Sequence, residues 1–261
     1  PKEKQQISDE TRILHVQEKS PMNAIISTRF PQLLPEIEIL KKKSQIRALL
    51  EVIFIREEYV REYFFCRNWQ ENVDLATIDN GQGDNCFIYF GREGVFITGL
   101  GHESALSPYG EYGQVKEIFN KVPEAFSSAM NHPDLFASES SFCIWRESDD
   151  EKWNVGDIPF PFENDDTEKT GLSDNPGVVL DYIDGSAELL YFLSEKPQDY
   201  IQKLTDDAEP APDLEALEAI YAYEPLSGAL LNRLNPELTI ENISAELEEI
   251  GYPLHIIEEN T

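Results

Sequence analysis

The amino-acid sequence predicts an α+β fold with a central antiparallel sheet, an N-terminal helix and a helical C-terminal region. Apolar residues recur at helical spacing over residues 44–65. Short β-branched and aromatic runs separated by turn signals fill residues 73–99. Helix start and stop signals dominate beyond residue 186. We therefore expect an α+β domain over residues 22–205, with residues 206–261 packed on it as a helical region.

The N-terminal helix is predicted over residues 44–65, where Ile46, Leu49 and Ile53 follow the spacing of one helix face. Pro35 suits the loop that precedes it.

Residues 1–21 are polar and lack any periodicity, which indicates a flexible extension that contributes little to stability.

An antiparallel meander is predicted over residues 73–99, because the runs VDLATID, NCFIYF and GVFITG have strand character. Asn80-Gly81 is a strong signal for a hairpin turn between the first two runs. A slip of one residue exchanges the two faces of a strand. The sequence therefore leaves two alternatives on each of two strands for the inward-facing residues: Phe87 or Ile88, and Phe96 or Ile97.

Beyond the meander, residues 114–130 return to helical spacing, which Pro123 interrupts. The runs SFCIWR, KWNVG and VVLDYI predict further strands, and acidic loops separate them. Four residues mark helix starts in the C-terminal third: Ser186, Pro197, Asp213 and Thr239. Gly251 stands where a left-handed residue would end the last helix.

The net charge of −29 is concentrated in the second half of the chain. Residues 1–121 have a net charge of −3, whereas residues 122–261 have −26. The electrostatic field of this excess of carboxylates disfavours the binding of nucleic acid and of anionic membrane surfaces. It favours the binding of a basic protein partner. The alternative is that the charge only maintains solubility. The candidate binding carboxylates lie in the acidic loops: Asp149, Asp150, Glu151, Asp165, Asp166 and Glu168.

The cysteines and the N-terminal segment predict a cytoplasmic protein. Cys66, Cys86 and Cys143 lie in apolar runs and are odd in number, so we expect reduced thiols rather than disulfides or metal ligands. Residues 1–21 lack the apolar stretch of a signal peptide, and no apolar run is long enough to span a membrane. We expect no cofactor and no metal.

The densest group of chemically active residues lies in residues 79–108, where Asp84, His102 and Glu103 flank the predicted hairpin. In a hydrolase, His102 would act as base or ligand beside the two carboxylates. The segment contains no metalloprotease or serine-hydrolase motif. The alternative is a glycine-rich turn in which His102 and Glu103 hold the backbone by local hydrogen bonds.

The run GLGHESALSPYG, followed by FCIWR and KWNVGDIPFP, resembles a family of acidic bacterial proteins with a G-x-x-H-E-S-x-x-S-P run. Proteins of this kind also resemble immunity proteins that neutralise secreted toxins. The resemblance and the charge favour an acidic binding protein of immunity or inhibitor type that neutralises a basic partner. Two other hypotheses stay open: a hydrolase centred on Asp84, His102 and Glu103, and a regulatory or scaffold protein.

Overall fold

The computed structural model describes residues 25–110, 113, 115–135, 137–158, 183–205 and 212–255. Several predicted features lie outside these residues. They are the N-terminal extension at 1–21, residues 178–182 of the predicted strand VVLDYI, and the candidate binding residues Asp165, Asp166 and Glu168.

The fold is α+β, as predicted, and is built on a six-stranded sheet. The strands are β1 (Tyr63–Gln70), β2 (Val73–Asp79), β3 (Asn85–Gly91), β4 (Gly94–Leu100), β5 (Phe142–Glu147) and β6 (Asn154–Val155). They lie side by side in chain order, and each pair of neighbours is antiparallel. The predicted meander over residues 73–99 is confirmed, with residues 80–84 as the loop between β2 and β3.

Both faces of the sheet are buried. In each predicted pair, both residues are therefore buried, one on each face. Ile88 and Ile97 face the helices, whereas Phe87 and Phe96 face a second, smaller apolar cluster. An antiparallel sheet with one solvated face would bury only every second residue. Both alternatives on each strand are therefore buried, because a second layer covers the other face of the sheet.

The helices are α1 (Ile37–Phe54), α2 (Ser127–Met130), α3 (Ser186–Leu189), α4 (Pro197–Thr205), α5 (Leu214–Tyr221), α6 (Gly228–Leu234) and α7 (Ser244–Ile250). Residues of α1 and α3 to α7 form the large core against one face of the sheet. Short turns and α2, between residues 116 and 139, cover the other face. Among the described residues, no helix is both long enough and apolar enough to cross a membrane.

The N-terminal helix differs from its predicted bounds, since α1 begins at Ile37 and ends at Phe54 rather than spanning residues 44–65. The chain becomes extended at Ile55, and β1 begins at Tyr63. Two hydrogen bonds fix this reversal. Arg61 Nε donates to the carbonyl of Ile55 at 2.9 Å, and the Glu62 N–H donates to Glu51 Oε2 at 2.9 Å.

Three of the C-terminal helix signals are confirmed, and Ser186 and Thr239 differ from the prediction. Thr239 Oγ1 accepts a hydrogen bond from the Asn242 N–H at 3.3 Å, but a 3₁₀ turn (Glu241–Ile243) follows it and α7 begins only at Ser244. Asp213 accepts a hydrogen bond from the Ala216 N–H at 3.1 Å, Pro197 opens α4, and Gly251 ends α7 with a φ of 67°. Ser186 was predicted as a cap, but it lies inside α3 and Gly185 occupies the cap position. The Ser186 hydroxyl instead donates to Asp184 Oδ1 at 2.7 Å.

Candidate functional site

The structure brings Asp84, His102 and Glu103 together through the backbone. Asp84 Oδ1 accepts a hydrogen bond from the His102 N–H at 2.6 Å, and Asp84 Oδ2 accepts one from Asn80 Nδ2 at 2.7 Å. His102 Nδ1 lies 3.0 Å from Glu103 Oε1, and these side chains are 40% and 95% exposed. Catalytic acid–base pairs are usually desolvated and directed at a common point. The geometry instead makes Asp84 a backbone anchor that joins loop 80–84 to the end of β4.

The glycines before His102 allow close backbone packing. A Cβ atom on Gly101 would lie 2.7 Å from the Cα of Gly185, and Gly185 itself has a φ of 79°. Ser141 Oγ accepts from the Gly101 N–H at 3.0 Å and donates to the Asp184 carbonyl at 2.6 Å. Burial raises the pKa of the Asp184 carboxyl, and hydrogen bonds from Ser186 and Thr28 oppose that shift. The backbone at Gly101 is thus part of a buried polar scaffold, whereas the neighbouring Glu103 side chain is 95% exposed.

The predicted acidic binding loop lies at the turn between β5 and β6. Asp149 and Glu151 are exposed. Asp150 has a structural contact, since its Oδ2 accepts from Asn154 Nδ2 at 2.9 Å. The strand register places this turn at the opposite end of the sheet from loop 80–84. Asp84 and residues 149–151 therefore do not contribute to one site.

A large acidic pocket opens beside loop 80–84, and we call it the acidic cleft. Its volume is about 660 Å³. Ile25, Ile78 and Leu189 supply apolar surface, and Tyr63 and Tyr191 supply aromatic rings. The cleft has five charged lining residues: Glu62, Asp84, Glu188, Glu195 and Lys203. Four carboxylates therefore face one ammonium group, which gives this lining a formal charge of −3.

Contacts hold several of these charges in place. Lys203 Nζ lies 3.7 Å from Glu62 Oε2, a long ion pair between partly exposed groups. Glu195 is only 7% exposed, and its Oε2 accepts a hydrogen bond from the Tyr221 hydroxyl at 3.0 Å. Burial and the adjacent Glu195 carboxylate both raise the pKa of Tyr221. The phenol therefore remains a hydrogen-bond donor to Glu195 at neutral pH.

Of the charged residues in the acidic cleft, only Asp84 was predicted from the sequence as a candidate site residue. Glu62 fell in the segment predicted as helix, and Glu188, Glu195 and Lys203 had no motif around them. Their sequence positions run from 62 to 203, and only the tertiary fold places them around one cleft. A local sequence pattern therefore could not have identified this set.

Cys86 and Cys143 are buried core residues, whereas Cys66 is partly exposed on β1. Cys66, Cys86 and Cys143 are free, and burial raises the pKa of each thiol. A reactive cysteine needs a depressed pKa. Within the described part of the chain, no group of three His, Cys, Asp or Glu side chains could hold a metal ion.

Comparisons with known proteins do not assign the chain to a family. No family model, no curated protein and no solved structure matches it.

Proposed function

We propose that this protein is a binding protein of immunity or inhibitor type that neutralises a basic protein partner in the cytoplasm. The observation that carries the proposal is the acidic cleft, where four carboxylates and one ammonium surround apolar and aromatic surface. A binding pocket commonly combines an apolar lining with a few placed polar groups. Here the charged groups favour a cation.

A lysine or arginine side chain from a partner fits this chemistry. Its alkyl stem would contact Ile25, Ile78 or Leu189, and its charged head would meet the carboxylates. The Tyr191 side chain is 50% exposed beside the cleft, where its ring offers a cation–π contact. The net charge of −29 would also attract a basic partner over a longer range.

The proposal predicts that a lysine-rich peptide binds, and that neutralising Glu62 and Glu188 weakens this binding. Both residues are partly or fully exposed, so Glu62→Gln with Glu188→Gln should leave the fold intact. Two lost ion pairs of about 0.5–0.7 kcal/mol each correspond to a dissociation constant about five- to tenfold higher. Fluorescence anisotropy with a labelled peptide measures the change.

The matched control is Asp149→Asn with Glu151→Gln, which removes the same charge at the other end of the sheet. The control variant should bind as the wild type does, and the same peptide with acetylated lysines should not bind. Binding should also weaken with salt, because the screening length falls from about 10 Å at 0.1 M to about 3 Å at 1 M. Equal losses in both double variants would show that charge alone drives binding and would refute a role for the cleft.

A further inference from the structure

One buried carboxylate, that of Asp184, joins two parts of the acidic cleft's lining. The first part contains Ile25, which lies in a segment of bends and turns over residues 25–30. The second part is α3, which carries Glu188. Asp184 lies two residues before α3 and is 2% exposed. Its partner in the first segment, Thr28, is 156 positions away in the sequence and is 3% exposed.

Three hydrogen bonds converge on the Asp184 carboxylate. Thr28 Oγ1 donates to Oδ2, and the hydroxyl and the N–H of Ser186 donate to Oδ1 at 2.7 and 2.9 Å. The Ser186 hydroxyl also accepts a hydrogen bond from the Thr28 N–H at 3.1 Å. Each of the three residues is therefore bonded to the other two, and we call Thr28, Asp184 and Ser186 the Asp184 network.

The main chain of Asp184 connects this network to a third part of the lining. The Asp184 carbonyl accepts a hydrogen bond from Ser141 Oγ, which itself accepts from the Gly101 N–H. The next N–H along the chain, that of His102, donates to Asp84 Oδ1 at 2.6 Å. Asp84 lines the cleft on the side opened by loop 80–84. Hydrogen bonds and two adjacent peptide units thus lead from Asp184 to Asp84.

Directional bonds are needed at this place because apolar packing alone does not fix how the two walls face each other. Ile26 and Leu189 both belong to the large core, which holds the two segments at the same depth. Burial of apolar surface is non-directional, whereas a hydrogen bond weakens steeply as its angle departs from linearity. The Asp184 network therefore sets the placement of Ile25 relative to Glu188.

We propose that Asp184 is a positioning residue of the acidic cleft, whose carboxylate holds residues 25–30 and α3 in the arrangement that binds the cation. This role depends on the proposed function, since Asp184 acts through Ile25 and Glu188 and not through contact with the partner. A carboxylate that only stabilised the fold would leave the affinity of the folded protein for a lysine-rich peptide unchanged.

Amide hydrogen exchange in the free protein measures whether the network holds α3. Thr28→Val removes the hydroxyl that donates to Asp184 and nearly preserves the volume of the side chain. The reporter is the Leu190 N–H, which donates to the Ser186 carbonyl at 3.0 Å. It should exchange about tenfold faster, because one hydrogen bond to a charged acceptor is lost from the closed state. Thr28→Ser keeps a hydroxyl and should exchange as the wild type does.

A second variant and a matched control separate this effect from a general loss of stability. Ser186→Ala removes the bridging hydroxyl and should also speed exchange at Leu190, although alanine is the better helix former. Thr98→Val makes the same change as Thr28→Val at a fully buried residue of β4 that does not line the cleft. Its hydroxyl donates to Ser140 Oγ at 2.6 Å. This control should leave both the exchange at Leu190 and the binding of the peptide unchanged.

Titration of the same variants with the lysine-rich peptide decides whether the network serves binding. Thr28→Val and Ser186→Ala should each raise the dissociation constant about two- to threefold, the loss expected for one ion pair at a misplaced Glu188. Thr28→Ser should bind as the wild type does. Unchanged exchange at Leu190 in both variants, or faster exchange with unchanged affinity, would overturn the positioning role alone. Absence of peptide binding to the wild type would overturn the proposed function together with this role.

Discussion

Arg47→Ala should lower the free energy of unfolding by about 3–5 kcal/mol, because it leaves Glu51 as a buried carboxylate without its cation. Glu51 is 1% exposed, and burial already raises its pKa against the effect of Arg47. The substitution also removes the guanidinium from between the rings of Tyr63 and Tyr200. Urea unfolding at an unchanged m-value measures the loss.

The double variant Arg47→Met with Glu51→Gln provides the control. It removes both charges together, and the introduced glutamine side chain keeps an acceptor for the Glu62 N–H, which Glu51 binds at 2.9 Å. Replacing a buried ion pair by well-packed uncharged groups is often neutral or stabilising. The double variant should therefore regain most of the stability that Arg47→Ala loses. A loss below about 1 kcal/mol in Arg47→Ala would contradict the assigned burial of this pair.

Phe96→Ala should cost about 3–5 kcal/mol and Ile97→Ala about 2–5 kcal/mol, although these neighbours lie on opposite faces of β4. Both side chains are fully buried. Ile97 belongs to the large core, and Phe96 packs at a ring-centre distance of 5.8 Å from Phe126 in the second cluster. The unfolding free energies of the two variants measure these costs.

Phe64→Ala is the matched control for Phe96→Ala, because the Phe64 side chain is 38% exposed on the edge strand β1. It should cost less than half as much as Phe96→Ala. A near-neutral Phe96→Ala or Ile97→Ala would mean that one face of the sheet is solvated. That outcome would contradict the burial of both faces of the sheet.

The strands were predicted well where local signals were strong. Asn80-Gly81 and the aromatic runs around it predicted the meander, because turn residues favour hairpins and β-branched and aromatic residues favour strands.

The end of α1 was predicted wrongly, since Val60 and Phe64 continue the helical spacing of the preceding residues. Pairing of β1 with β2 decides that segment, and no local property of the sequence reports this long-range contact.

Two further features of the sequence indicate burial that the local patterns above do not. Arg47 lies within an otherwise apolar stretch, with Glu51 one helical turn later, which is the spacing of an intrahelical ion pair. An arginine on the apolar face of a helix indicates a buried partner or a ligand. The sequence of β3 does not alternate between apolar and polar residues. Cys86 to Phe90 are all apolar, as in strands that are buried on both faces.

The acidic cleft could not be predicted in the same way. The distribution of charged residues along the sequence places most of the acidity in the second half of the chain. Two carboxylates of the cleft, those of Glu62 and Asp84, nevertheless come from the first half. Net charge reports the field of the whole molecule, whereas a site depends on which carboxylates the fold places together. The roles of Asp149 and Glu151 stay a prediction, which the double variants described above compare directly with the cleft.

Mapping a bound lysine-rich peptide on the protein by amide ¹H–¹⁵N chemical shifts tests the central claim most directly. We expect the largest changes at Glu62, Tyr63 and residues 187–191, with small changes at the turn between β5 and β6. In Glu62→Gln with Glu188→Gln, the same changes should need about five- to tenfold more peptide. Changes centred on residues 148–151, or spread evenly over all acidic surfaces, would contradict the assignment of the acidic cleft as the binding site.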